Sequence, residues 1–184
     1  VWMVLTNVIG GTGTLAKAGG TAPLFLNASN TFSGRTLVSN GTLYLTNGGS
    51  IRVCSNITVT ASLDALGRPV KTLTLASGQT LTGTGTFFGN LLTSAGSILA
   101  PGLSIGTLTA TNGTAVLAAS STTVMEVNRT NSTTSDLLRG TTNMTYGGTL
   151  SIVNLGPGLQ GGDSFKLFAA TNYLNSFSSI TPSQ

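Results

Sequence analysis

The chain has 184 residues, of which only 7% are charged and 40% hydrophobic, with 25 glycines, one cysteine and no histidine. Eight basic and four acidic residues leave a net charge of +4. The basic ones (Lys17, Arg35, Arg52, Arg68, Lys71, Arg129, Arg139, Lys166) stand singly, without the clustered basic and aromatic pattern of a nucleic-acid surface. No apolar run approaches the ~20 residues of a spanning helix, and the alternating ten-residue strands of a membrane barrel are missing.

Val1-Trp2-Met3-Val4-Leu5-Thr6-Asn7-Val8-Ile9 is the most apolar run. One reading makes it the first strand of a stacked β structure. The other makes it a connector (residues 1–9) that adds to the open edge of a neighbouring subunit by backbone pairing. From residue 10 onward, short apolar touches at Leu15, Leu24, Leu26, Leu37, Leu43 and Leu45 are separated by Gly, Asn, Ser and Thr. Gly recurs too often for a helix, whereas brief strands broken by turn residues suit a β-solenoid over residues 10–184.

Period-two strands are expected in Ile51-Arg52-Val53, Asn56–Thr60 and Lys71–Leu75, with a loop over Ser62–Pro69 closed by Gly67 and Pro69. Cys54 reads as a small buried hydrophobe. Further along, Leu81–Asn90, Ala95–Gly102 and Ser104–Thr109 continue the alternation, followed by Ala115–Leu117 and Thr122–Val127. Asn128–Ser135 is a polar loop. Ser135–Leu138, Tyr146–Val153 and Gly162–Phe168 supply the last coils, and Phe177–Ile180 leads to a closing strand. At about 20 residues per coil the chain makes eight or nine coils, roughly 40 Å of rod at ~4.8 Å per step. The inward columns are expected to hold Leu43, Leu73, Leu75, Leu81, Ile98, Leu108, Val124 and Leu150. Asn30 and Asn40 are expected in left-handed turns or Asn ladders.

Two stretches carry a family resemblance. Gly11-Thr12-Gly13-Thr14-Leu15, Lys17, Gly19, then Asn30-Thr31-Phe32-Ser33-Gly34, Thr36, Val38 and Gly41-Thr42-Leu43 resemble the passenger-associated transport repeat of bacterial autotransporter passengers and other large secreted β-helix proteins. Ala22-Pro23 departs from the Gly-Thr-Gly that usually follows. The block from Leu81 to Thr109, with its Gly-Thr-Gly turn, Gly89-Asn90 step, Pro101-Gly102, Ser104 and Gly106-Thr107-Leu108, resembles the segment that commonly follows this repeat. The resemblance implies an all-β, single-stranded right-handed parallel β-helix, extracellular or at the cell surface. The start at Val1, without a charged leader before an apolar core, fits a processed or trimmed product.

Reaction chemistry is sparse. Without histidine the commonest general base and metal ligand are missing, and one cysteine with four carboxylates argues against a zinc or transition-metal site. Glycoside cleavage needs paired carboxylates. Asp64, Glu126, Asp136 and Asp163 each stand alone, although stacking could bring Asp136 near Asp163. Both of those read more simply as turn formers, and Glu126 reads as outward-pointing. Gly10–Gly13 and Gly83–Gly85 lack the helix and Gly-Lys-Ser/Thr of a phosphate loop. Seven Asn-x-Ser/Thr triplets occur, and Asn128 and Asn131, in the polar loop, are the candidate glycosylation sites.

These observations lead to a non-enzymatic structural surface protein without cofactor or metal, whose partner is another copy of itself, joined head to tail. The interface residues would be Val1, Trp2, Met3, Val4, Leu5, Val8 and Ile9 at one end and Phe177 and Ile180 at the other. The alternative is an adhesin passenger that meets carbohydrate or another cell surface through its Thr, Ser and Asn side chains.

Overall fold

The strands alternate between inward and outward side chains along almost their whole length, and that alternation builds the molecule. The computed structural model describes residues 2–183. Within them the chain winds as an all-β parallel solenoid, with no helix among the described residues. Val1 lies outside them.

Three faces wrap the core. The first is built from Met3–Leu5, Leu24–Leu26, Thr42–Leu45, Ser62–Asp64, Thr86–Phe88 and Thr107–Thr111, stacked in parallel order. The second runs through Leu15–Lys17, Thr36–Val38, Asn56–Val59, Thr80–Gly83, Ile98–Pro101, Thr122–Val127, Thr149–Asn154 and Ser179–Ser183. A third face begins only in mid-chain, with Thr72–Leu75, Asn90–Thr93 and Ala115–Val116. Leu137–Thr145 spans the first and third faces. Its start pairs with Thr107–Thr111 and its end with Ala115–Val116. Gly140 turns the corner between them at φ 93°, a backbone conformation L side chains rarely adopt. Phe168–Leu174 follows Leu137–Thr145 over both faces.

The second face counts the coils. Leu15 pairs with Thr36 and Thr36 with Ile57, steps of 21 residues. Leu150 pairs with Ile180, a step of 30. The expected coil of about 20 residues thus holds for the first turns and again between Leu81 and Leu99, a step of 18, and the solenoid widens only after that. The same face carries an inward column, Leu15, Thr36, Ile57, Leu81, Leu99, Thr123, Leu150 and Ile180. Burying each Leu or Ile of such a column contributes roughly 1.5–3 kcal/mol.

Parity corrects two expected core positions. Ile98 is 37% exposed while Leu99 is fully buried, and Val124 lies outward between buried Thr123 and Met125. Adjacent apolar residues leave the phase of a two-residue period ambiguous, and the register with Leu81 and Leu150 decides it. The remaining expected core residues, Leu43, Leu73, Leu75, Leu81, Leu108 and Leu150, are buried.

Local segments differ too. Arg52-Val53 is a turn between buried Ile51 and Cys54 rather than a strand. Ser62–Asp64, expected as loop, is a first-face strand. Gly162–Leu167 is turn and irregular chain, and the strand starts at Phe168. Positive φ falls on Asn47 (51°), Asn112 (58°) and Asn175 (60°), not on Asn30 or Asn40. Cys54 is buried, and burial pushes its thiol pKa up.

Thr123 sits in the inward column with its hydroxyl buried and without a hydrogen-bond partner. Thr123→Val keeps the volume and removes the stranded hydroxyl, so it is expected to stabilise the fold by about 1 kcal/mol in denaturant titration. A destabilised variant would mean that the hydroxyl has a partner.

Candidate interface and groove

At the N-terminal end, Met3–Leu5 is the outermost strand of the first face, with Leu24–Leu26 as its neighbour. Met3 is 60% and Trp2 71% exposed, and Val4 and Val8 are exposed as well. Leu5 and Ile9 lean onto the core. The segment is fastened by buried Asn30, whose Oδ1 accepts from the Ile9 N–H at 2.9 Å. The Asn30 amide donates to Ala28 O at 3.0 Å and Ser50 O at 3.1 Å, so one side chain ties three coils together. The sequence placed Asn30 in a turn or ladder; its actual role depends on which backbone groups face it across the stack.

Lys17 is one of the singly placed cations, and its side chain is buried. Its ammonium donates to Gly20 O at 3.1 Å and Asn40 O at 2.8 Å. It faces inward at the first rung, above Val38 and Val59, and gives that column a polar lid. Beside it a hollow of about 590 Å³ is lined by Trp2, Met3, Ala16, Ala18, Pro23 and Leu24, among others.

At the other end, Ser179–Ser183 is the last strand of the second face. Ile180, which ends the Leu15 column, is 63% exposed, and Tyr173 and Leu174, at the end of Phe168–Leu174, are exposed as well. Behind them Phe177 packs on Tyr146 and Phe168, with centroids 4.7 and 5.8 Å apart. Tyr146 also meets Tyr173 at 5.8 Å, and burial, with Tyr173 as a smaller cause, pushes its hydroxyl pKa up to about 12. The widest coils hold this aromatic cluster because aliphatic side chains alone would leave them underfilled.

The carboxylates divide: Asp163 keeps the turn role expected of it, and Asp136 does not. Asp163 caps its own exposed turn, accepting from the Gln160 N–H at 2.8 Å. Asp136 is instead drawn to Glu126, because Val127 and Ser135 bridge antiparallel across the 128–135 loop. Asp136 is 1% exposed and accepts from the Gly106 N–H at 2.8 Å and the Glu126 N–H at 2.7 Å. Burial, opposed by these two bonds and helped by the charge of Glu126, moves its pKa up to about 6. It is a fastener between coils rather than the simple turn former expected. Both acids border a shallow groove of about 290 Å³ under Pro101–Ser104. Among the described residues no three His, Cys, Asp or Glu side chains gather as a metal set.

In the polar loop Asn131 is exposed. Asn128 Oδ1 accepts from the Thr130 N–H and hydroxyl at 3.0 and 2.7 Å. Among the described residues, no helix is long and apolar enough to cross a membrane.

On the outer flank of the first face, Val4, Phe25 and Tyr44 stand in one column. The Phe25 and Tyr44 rings stack at 4.6 Å with planes 12° apart. Trp2, Val4 and Phe25, the last backed by Tyr44, line a groove of about 450 Å³ together with Asn27, Thr46 and Asn47. The sequence reading placed Trp2 in an interface but did not find this groove. Its signal was the spacing of aromatic and amide residues by one coil length.

No protein-family model matches the chain, and no curated protein matches it.

Proposed function

We propose that the chain is a structural rod of the cell surface or extracellular space, without catalytic activity, that lengthens by stacking copies head to tail. The observation that carries this reading is the exposed termination of the apolar columns, at Met3 on one end and Ile180 on the other. Unpaired strand edges are templates for further strands, and in a solenoid each coil is stabilised by the coil stacked on it. The hollow lined by Met3, Pro23 and Leu24 could receive Ile180 of another copy. A joint of this kind is heterologous and does not close, so it makes a filament. Because the last coil is wider than the first, only the first and second faces would continue across the joint. Lys17, lidding one column, would sit at its margin.

The test is electron microscopy and sedimentation of the intact chain. Filaments that grow with concentration are expected, and Ile180→Lys should leave monomers with unchanged circular dichroism. A wild-type chain with both termini intact that stays monomeric at high concentration would sink the reading. So would filaments unaffected by both Ile180→Lys and removal of residues 1–9.

The groove beside Trp2 favours a second reading, an adhesin-like module that holds carbohydrate or another cell surface.

A further inference from the structure

We infer that the groove between Trp2 and Asn47 binds a neutral linear glycan laid along the solenoid axis, an inference that rests on the second reading above. A hexose ring is amphipathic, with an apolar C–H face and a rim of hydroxyls. The groove offers both complements. Its apolar lining is the exposed indole of Trp2 with Val4 and Phe25, the latter braced by Tyr44. Its polar lining is Asn27, Thr46 and Asn47. The Thr46 hydroxyl is hydrogen-bonded to Asn27 Oδ1, which pins that amide and leaves its nitrogen as the donor.

No charged side chain lines the groove, so an anionic glycan would lose solvation without gaining a partner. The lining comes from successive coils, since Val4 pairs with Phe25, and Asn27 and Thr46 follow the paired strands Leu24–Leu26 and Thr42–Leu45. Coils repeat every ~4.8 Å, close to the length of one hexose in a linear chain, so neighbouring sugars would meet neighbouring coils in similar register. A second copy arriving at the strand edge would pair backbone groups, whereas this groove opens on the outward side chains. That places a glycan here and a subunit at the edge.

The chain has one tryptophan, and it lines this groove and the neighbouring hollow, so its emission is read at one fixed protein concentration. The intact chain, held at one concentration, is titrated with cellohexaose and, separately, with polygalacturonate. A saturable change in Trp2 emission with cellohexaose and none with polygalacturonate is expected. Asn47→Gly keeps the φ of 51° accessible while removing the amide, and should weaken binding about fivefold, the worth of one hydrogen bond. Flat emission with cellohexaose to about 1 mM, a range that would detect even −4 kcal/mol of binding, overturns the inference. An equal response to polygalacturonate or unchanged affinity in Asn47→Gly also overturns it. Emission that follows protein concentration and ignores both sugars would mean that a second copy covers the groove, and again the inference falls. Retention of Asn47→Gly on insoluble neutral polysaccharide equal to wild type would sink the groove alone, leaving the surface-binding reading standing.

Discussion

Phe87→Ala is expected to cost about 3–5 kcal/mol, measured by denaturant titration followed by circular dichroism. Phe87 is fully buried on the first face, between Leu63 and Ala110 of the adjoining coils. The small Ala110 leaves room that the phenyl ring fills, and Gly140 lies just beyond at the corner of the next coil. The surroundings cannot collapse into the gap, because each strand is held by its neighbours on both sides. In a solenoid each coil contacts mainly the coils beside it. The damage should therefore also uncouple the coils before Phe87 from those after it, seen as a broadened or split transition. Phe87→Leu, which leaves a smaller cavity, should cost less than half as much. A Phe87→Ala chain that unfolds as one sharp transition within 1 kcal/mol of wild type would contradict this account of the core.

Acid should stabilise this fold, and Asp136 is the main cause. Its pKa is about 6 in the folded chain against an ordinary 3.8, so the folded state holds a proton that the unfolded state has released. A raised carboxyl pKa gives stability that is full below about 4 and lost as pH rises through about 6. Asp64, also pushed up by burial, acts with the same sign. The thermal midpoint should therefore climb from pH 7 to pH 4, by an amount on the order of 2 kcal/mol in stability once residual screening by water is allowed for. Most proteins lose stability over that range because their paired carboxylates are protonated. Asp136→Asn should flatten the profile between pH 4 and 6. It should also cost about 1–3 kcal/mol at pH 7, because one amide oxygen cannot accept from both the Gly106 and Glu126 N–H groups. A midpoint that falls steadily on acidification would place the titrating proton elsewhere.

The Asp136 fastener shows what the sequence could not convey. Its two donors lie 30 and 10 residues away, and only the coil register and the bridge across the 128–135 loop bring them together. Lys17 and Asn30 repeat the lesson, since each looks ordinary in sequence and each bonds backbone carbonyls of a different coil. The aromatic and amide groove was hidden for the same reason, its residues spread between positions 2 and 67.

What the amino-acid order determined by itself was the architecture. Alternating apolar residues in three- to six-residue runs, punctuated by Gly and Asn, suit brief strands stacked on their like. The all-β solenoid, the absence of helices among the described residues and most of the inward leucines follow from that pattern, while the parallel strand order was what the resemblance implied. The tertiary structure alone decided the phase at Ile98 and Val124, the late third face, the widening coil and every polar tie between turns. Alternation is a local property set by the pleat, whereas phase and side-chain ties depend on which residue of a neighbouring coil arrives opposite.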